Sequence, residues 1–325
     1  MRSTRTALAL VCLLAVAAAC ASAGSSSGAA IAPSATGGSG ATAPPGATAD
    51  TEVFPVTITD DDGVEVVLEA YPERIVTFAP SMTEIVFALG LGDLLVGVAG
   101  PFDDFPAEAR EIEQVGGAGD FGVDPNLERV VALEPDLFLT IAGGDPWKEQ
   151  LRDLGVTVVT LNATDFDDLL DDIRTGGAVT GASEAAEALA ADMQADAAEV
   201  AAAVPARTTC FFEVYFPPLT TVGPNTFIYD LLERAGCDPV TSDATSDYPE
   251  WSVDDLVADG PEVYLATSGS AKDRSAVAER PGFEGIVAVA NGRVVLLDSD
   301  LVTRPGPRVV EGLRQISSAL FTQPS

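Results

Sequence analysis

The sequence contains no histidine and few positive charges, and both features exclude classes of function. Its 325 residues include 17 Lys and Arg against 50 Asp and Glu, a formal net charge of −33. Without histidine, the chain lacks the commonest zinc ligand, the usual acid-base residue of hydrolytic triads and the usual proximal haem ligand. The negative charge opposes attraction to phosphate backbones. We therefore expect no nucleic-acid partner and no cofactor, and no residue spacing indicates a metal site.

The first apolar run is too short to cross a membrane and indicates an export signal. Two arginines precede the run at residues 7–19, which falls short of the ~20 residues that a membrane span needs. The segment Val16-Ala17-Ala18-Ala19-Cys20 resembles a bacterial lipobox, in which the cysteine becomes acylated. We expect a signal peptide over residues 1–19 and lipidation of Cys20. Ordinary cleavage after Ala21-Ser22-Ala23 is the alternative.

A segment of low complexity follows the predicted lipid anchor. Residues 21–50 consist almost entirely of Ala, Ser, Gly, Pro and Thr, a composition that cannot bury a core. We expect residues 20–52 to hold the lipidated cysteine and a flexible linker, which as a coil would span about 30 Å. The predicted location is therefore the extracytoplasmic face of the cell membrane, through a lipid anchor.

The remaining chain alternates strand and helix patterns, which is typical of an α/β protein with largely parallel sheets. We expect an N-terminal α/β lobe over residues 53–182 and a C-terminal α/β lobe over residues 205–325. Residues 183–204 are rich in alanine and contain neither Gly nor Pro, which favours one long helix. The predicted fold is two Rossmann-like lobes joined by this single long α-helix.

Two local signals near the start of the first lobe carry detailed predictions. The run Asp60-Asp61-Asp62-Gly63 between alternating apolar segments indicates a β-hairpin turn. Further on, Ser81 followed three residues later by Glu84 predicts a capping box at the start of a helix.

An internal repeat supports the division into two lobes. Residues 127–139 match residues 253–265 at a constant offset of 126, and Asn126 and Ser252 occupy the N-cap place in each copy. The alternative is that any amphipathic helix before a Pro-acid strand start has this appearance. The match favours duplicated lobes.

Four motifs then suggest a family. In chain order they are Pro72–Gly90, Val96-Gly97-Val98, Asn126–Glu128 with Leu133–Asp136, and Arg304-Pro305-Gly306-Pro307-Arg308. Together they resemble the cobalamin- and ferric-siderophore-binding proteins of ABC importers. The resemblance implies a monomeric, non-enzymatic protein that binds a corrinoid or ferric siderophore in a cleft between its lobes and delivers it to a membrane permease.

Several loops are candidates for the ligand-binding cleft. In open α/β sheets, ligands sit beyond the carboxyl ends of the strands, and aromatic side chains there suit a large flat ligand. For each single residue, local core packing is the alternative. The candidates are Phe102, Asp103, Phe105, Phe121, Tyr215, Phe216, Tyr248 and Trp251.

Two arginines beside the last helix are further candidates. Pro307 fits the first turn of that helix, so Arg304 and Arg308 lie near its positive end, where a cation needs an anion nearby. A phosphate or carboxylate of the ligand is one such anion, and a salt bridge to an acid of the chain is the alternative. The resemblance places Asp300 and Arg304 where cobalamin-binding members contact their ligand.

The resemblance also implies a permease-docking role for Glu128 and Asp254, one on each lobe. From the residues alone, both are carboxylates that suit the start of a helix.

Of the four cysteines, Cys12 would leave with the signal and Cys20 would carry lipid. The remaining pair, Cys210 and Cys237, indicates a disulfide in an exported protein, and two buried free thiols are the alternative.

Two other functions are compatible with the residues. An exported α/β enzyme would use paired carboxylates such as Asp103 and Asp104. A surface sensor would bind the same ligand without an importer.

Overall fold

The computed structural model describes residues 54–116, 124–143 and 145–322. The predicted signal peptide, Cys20, the linker and Phe121 lie outside these residues.

The described chain begins with an antiparallel hairpin formed by β1 (Val56–Thr59) and β2 (Glu65–Leu68). Its acidic turn is held by the Asp60 carboxylate, which accepts backbone N–H bonds within the turn. The Asp62 carboxylate lies 2.7 Å from the ammonium of Lys148, whose side chain is 1% exposed. This ion pair between a buried lysine and a turn carboxylate docks the hairpin turn onto the first lobe.

Within the described residues, the first lobe contains a four-stranded parallel sheet with the order β4-β3-β5-β6. Its strands are β3 (Ile75–Thr77), β4 (Leu95–Gly97), β5 (Leu137–Thr140) and β6 (Thr157–Thr160). Its helices are α1 (Pro80–Ala88), α2 (Leu127–Ala132), α3 (Asp145–Asp153) and α4 (Phe166–Thr180), with short 3-10 helices at Gly92–Leu94 and Ala107–Glu111. Every residue of β5 is buried, as expected for a strand covered by helices on both faces.

Helix α5 (Ser183–Ala203) connects the lobes and packs against α4. Its buried residues recur every three or four positions, which places them on one face. The approach of the two helices is close because α4 has a glycine at position 177. A Cβ atom on Gly177 would lie 2.3 Å from the Cβ of Ala186.

In the part of the second lobe that the structure describes, a four-stranded parallel sheet has the order β10-β9-β7-β8. Its strands are β7 (Thr208–Phe212), β8 (Cys237–Pro239), β9 (Val263–Thr267) and β10 (Val294–Leu297). Its helices are α6 (Phe227–Arg234), α7 (Val253–Asp259), α8 (Arg274–Ala278), α9 (Val287–Ala290), α10 (Ser299–Val302) and α11 (Val309–Phe321), with a 3-10 helix at Phe283–Gly285. A disulfide between Cys210 and Cys237 joins neighbouring strands.

The two sheets have the same connectivity. In the first sheet, β3 lies between β4 and β5, and β6 lies beyond β5. In the second sheet, β7 lies between β8 and β9, and β10 lies beyond β9. Helices α2 and α7 both precede the third strand, and Asn126 and Ser252 cap them by accepting the backbone N–H three residues on. The predicted fold class, two α/β lobes joined by one long helix, is confirmed. No helix in the described ranges is both long and apolar enough to span a bilayer.

Candidate functional site

The candidate ligand residues that the structure describes lie beyond the carboxyl ends of strands, in loops except for Asp300, which lies in α10. Phe102, Asp103 and Phe105 follow β4, Tyr215 and Phe216 follow β7, Tyr248 and Trp251 lie in the segment between β8 and α7, and Asp300 and Arg304 follow β10. In parallel sheets, these are the edges at which ligand clefts form.

Asp103 organises the loop after β4. Its side chain is 2% exposed, and its carboxylate accepts bonds from the Thr83 hydroxyl at 2.5 Å and the Gly100 backbone N–H at 2.9 Å. Burial raises the pKa of Asp103, and these two hydrogen bonds oppose that rise. The flanking rings of Phe102 and Phe105 are 47% and 44% exposed. Asp103 therefore positions a loop that presents two aromatic rings outward.

Arg304 forms ion pairs with both lobes. Its guanidinium lies 2.8 Å from the Asp300 carboxylate of its own lobe. It also lies 3.5 Å from Glu84 and 3.6 Å from Asp104, both in the first lobe. Burial raises the pKa of Asp300, and the charge of Arg304 opposes that rise. In this structure Arg304 therefore forms salt bridges with acids of the chain itself, which was the alternative to a contact with a ligand anion.

Arg308 makes the closest ionic contact between the lobes. Its Nη2 and Nε atoms donate to the two carboxylate oxygens of Glu84 at 2.6 and 2.8 Å. Its guanidinium also lies 3.9 Å from the centroid of the Phe105 ring. The hydrogen bonds to Glu84 raise the pKa of Arg308. We call Glu84, Asp104, Asp300, Arg304 and Arg308 the lobe junction.

The predicted capping box at α1 is wrong, and the lobe junction explains why. The N-cap of α1 is Ala79, without a side-chain hydrogen bond, and Pro80 occupies the first turn. Ser81 is buried, and the Glu84 carboxylate reaches the arginines of the other lobe instead of the helix start. The local motif contained no signal for this long-range partner.

The aromatic loops of the second lobe adjoin each other. Thr220 forms bridges to both Tyr215 and Glu250, and the Trp251 backbone N–H donates to the Leu219 carbonyl at 2.9 Å. Tyr215 and Tyr248 are 43% and 37% exposed. These two tyrosines are therefore accessible on adjoining loops.

Phe216 and Trp251 make contacts inside the second lobe. The Phe216 ring lies 4.0 Å from the Arg280 guanidinium, and the Trp251 indole N–H donates to Asp259 at 3.0 Å. Arg280 in turn pairs with the fully buried Glu213, to which the Tyr264 hydroxyl also donates. Sequence reasoning missed Arg280 and Glu213, because neither belongs to a recognisable motif. They hold the loop that carries Phe216.

The candidate docking residues Glu128 and Asp254 are exposed in the first turns of α2 and α7. Within the described part of the chain, neither carboxylate takes part in an ion pair. Nor do Cys, Asp or Glu side chains in the described ranges form a group that could hold a metal ion.

The chain has two α/β lobes with parallel sheets, joined by one long helix, and exposed aromatic side chains at the strand ends. These features define a class of two-lobed binding proteins. The chain belongs to the periplasmic binding protein family, whose model matches residues 75–301. Members of this family are binding proteins of transporters and not enzymes. In this structure the Asp103 carboxylate accepts a hydrogen bond from the Thr83 hydroxyl, and the Asp104 carboxylate lies 3.6 Å from the Arg304 guanidinium.

Specific relatives support the same class. The chain is 35% identical over 283 residues to an uncharacterized ABC transporter substrate-binding lipoprotein, YvrC, of Bacillus subtilis, covering 83% of this chain and 87% of the relative. It is 32% identical over 299 residues to a cobalamin-binding protein of Halobacterium salinarum, covering 87% and 79%. A solved structure from an Fe3+-hydroxamate transport system of Saccharomonospora viridis matches with a TM-score of 0.69 and 26% identity, covering 83% and 100%.

Proposed function

We propose that this protein is a lipid-anchored, extracytoplasmic solute-binding protein that delivers a corrinoid, such as cobalamin, or a ferric chelate to an ABC importer. The observation that carries the proposal is the pair of facing α/β lobes whose strand-end loops expose Phe102, Phe105, Tyr215 and Tyr248. Flat, partly apolar ligands of large area suit such rings. The names of the relatives, one cobalamin-binding and one from an Fe3+-hydroxamate system, support the same ligand classes.

The lipid anchor is part of the proposal. Cys20 follows a short apolar run and precedes a linker without core-forming residues. The Bacillus subtilis relative is named a lipoprotein, which supports this assignment. Cys20→Ser should abolish palmitate labelling, whereas globomycin, which blocks signal removal after the cysteine has been acylated, should leave a labelled precursor that retains residues 1–19. Labelling of the Cys20→Ser variant would contradict the anchor.

Ligand identity is tested by screening the delipidated protein with cobalamin, cobinamide, haem and several ferric siderophores. Binding to the folded state stabilises it by an amount that grows with the logarithm of ligand concentration over Kd, so the true ligand should raise the melting temperature further at each higher concentration. Native mass spectrometry of the same mixtures gives the stoichiometry. No shift and no adduct with any corrinoid or ferric chelate would refute the proposed ligand classes.

Arg304 is the proposed charged contact to the ligand. Because it pairs with Glu84, Asp104 and Asp300 in this structure, a ligand anion would have to replace one of these carboxylates. Arg304→Ala should weaken binding by about 1.5–3 kcal/mol if that contact is desolvated. Calorimetric titration measures it, with Arg308→Ala expected to have the smaller effect. Unchanged affinity together with a lower melting temperature would assign Arg304 to structure alone.

Docking to the permease is proposed for Glu128 and Asp254. The two carboxylates occupy equivalent places on the two lobes, which suits a partner built from two similar subunits. Reversing both to Lys should abolish uptake of the ligand identified by the screen and leave its affinity unchanged, because interface charges act on association and not on the cleft. Each single reversal should give a partial loss. Normal uptake by the double variant would contradict this docking assignment.

A further inference from the structure

Two exposed valines occupy equivalent places on α2 and α7. Val131 is 39% exposed and Val257 is 37% exposed, and they are related by the repeat offset of 126 that also relates Glu128 to Asp254. Single exposed apolar side chains are common on protein surfaces and need no explanation. Exposure of the same residue type at both copies of a repeat is a stronger observation.

The pattern of buried and exposed positions along the helix is also repeated. Val130 and Leu256, the preceding residues in each copy, are fully buried and anchor the helices to their lobes. Glu128 lies three residues before Val131, and Asp254 lies three residues before Val257. Residues at this spacing share one face of a helix. Each lobe therefore presents the same solvent-facing pair, a carboxylate and a valine one turn later.

Helix stability does not account for these valines. A β-branched residue loses side-chain freedom in a helix and is a poorer helix former than alanine. This chain uses alanine at many solvent-exposed positions of α5, so the preferred residue is available to it. Helix propensity alone therefore gives no reason for a valine at the same exposed place on both lobes.

The exposed apolar surface extends further on the second lobe. A Cβ atom on Gly285 would lie 3.1 Å from a methyl group of Val257, and one on Gly260 would lie 3.5 Å from a methyl group of Val287. Val287 is itself 40% exposed. The end of α7 and the start of α9 thus form a small apolar surface beside Asp254.

We infer that Val131 on the first lobe, with Val257 and Val287 on the second, forms the apolar half of the surface that docks onto the two membrane subunits of the importer. This inference rests on the proposed importer partnership. The partner that binds this surface is a pair of similar membrane subunits, because the two lobes present the surface twice in equivalent form. Each subunit would offer a basic group to the unpaired carboxylate and an apolar side chain to the valine one turn away.

The first test places a photo-crosslinking amino acid at position 131, 257 or 67 of the full-length anchored protein in its own cells. Val67 is the matched control, because it is a valine with 44% exposure on the hairpin strand β2. Products are identified by mass spectrometry. Positions 131 and 257 should both yield a transmembrane subunit of an ABC importer, and position 67 should not. Cross-links to a second copy of this chain, or equal products from all three positions, would overturn the inference.

The second test measures affinity for the importer so identified, reconstituted in nanodiscs without ligand. Val131→Ser and Val257→Ser should each weaken binding about three- to tenfold, and Val67→Ser should leave it unchanged. If both valine variants bind normally while charge reversal of Glu128 and Asp254 abolishes binding, the inferred apolar contact is wrong. The docking role of the two carboxylates would then still stand. Normal affinity in every variant, reversals included, would remove the docking assignment itself.

Discussion

Replacing Glu84 with glutamine should destabilise the protein by removing the carboxylate that both junction arginines share. The Glu84 side chain is 3% exposed, and those of Arg304 and Arg308 are 13% and 19% exposed. Removing one partner of a buried ion pair typically costs 3–5 kcal/mol. Glutamine keeps one acceptor oxygen, and Arg304 keeps Asp104 and Asp300, so we expect a loss of about 3 kcal/mol, the lower end of that range.

The loss is measured by urea denaturation at neutral pH and by calorimetry. Because the folded part of this chain is longer than 250 residues, about 3 kcal/mol corresponds to a decrease in melting temperature of roughly 5 °C. Glu187→Gln is the matched control, because Glu187 pairs with Arg174 at 2.7 Å but is 65% exposed. Such an exposed ion pair is screened by solvent and contributes little to stability. A Glu84→Gln loss no larger than the control would refute the stabilising role of the junction.

A double-mutant cycle then identifies the contact responsible. Glu84→Gln, Arg308→Gln and the double variant should give a coupling energy above about 1 kcal/mol, because the two side chains touch.

Solution scattering adds a structural readout. With one rigid helix between the lobes, wild type should keep its radius of gyration on ligand binding. The Glu84→Gln variant loses the Glu84 carboxylate but keeps the contacts of Arg304 with Asp104 and of Arg234 with Asp167 between the lobes, and should show a moderately broader distribution of interatomic distances.

Two further predictions concern stability. Burial, and then the charge of Asp61, raises the pKa of Asp172 from 3.8 to about 9, so the folded state keeps a proton that the unfolded chain releases. The free energy of unfolding should therefore fall as the pH rises from about 4 to about 9, and Asp172→Asn should flatten this profile in urea titrations; parallel profiles would contradict the assignment. The disulfide closes a separation of 27 residues. Replacing Cys210 and Cys237 together with alanine should cost about 3.5 kcal/mol by the loop-entropy relation, and a loss below about 1 kcal/mol would argue against it.

The sequence by itself determined the architecture of this protein, because its main signals are local. Alternating apolar strands and amphipathic helices follow from side-chain periodicity, and the alanine-rich run without Gly or Pro favours one helix wherever it packs. The repeat at offset 126 indicated two lobes, and Asn126 and Ser252 do cap the equivalent helices. Each of these features depends on residues close together in the chain.

Helix α4 was not predicted, although Asp165 caps its start and apolar residues recur in it at helical spacing. Gly176 and Gly177 lie within it, and glycine is a poor helix former. In the folded protein, Gly177 lies where a side chain would overlap Ala186 of α5. The need for close packing between two helices, which no single segment encodes, therefore outweighs the low helix propensity.

The tertiary structure alone decided the partners of the charged residues at the site. Ser81 and Glu84 match a capping motif, yet Glu84 pairs with Arg308, 224 residues later. In a chain with 50 acids, spacing cannot select which carboxylate reaches Arg304. That choice depends on how the two lobes meet, because Coulomb attraction between groups buried from water acts over the few ångströms that folding sets and not over chain distance.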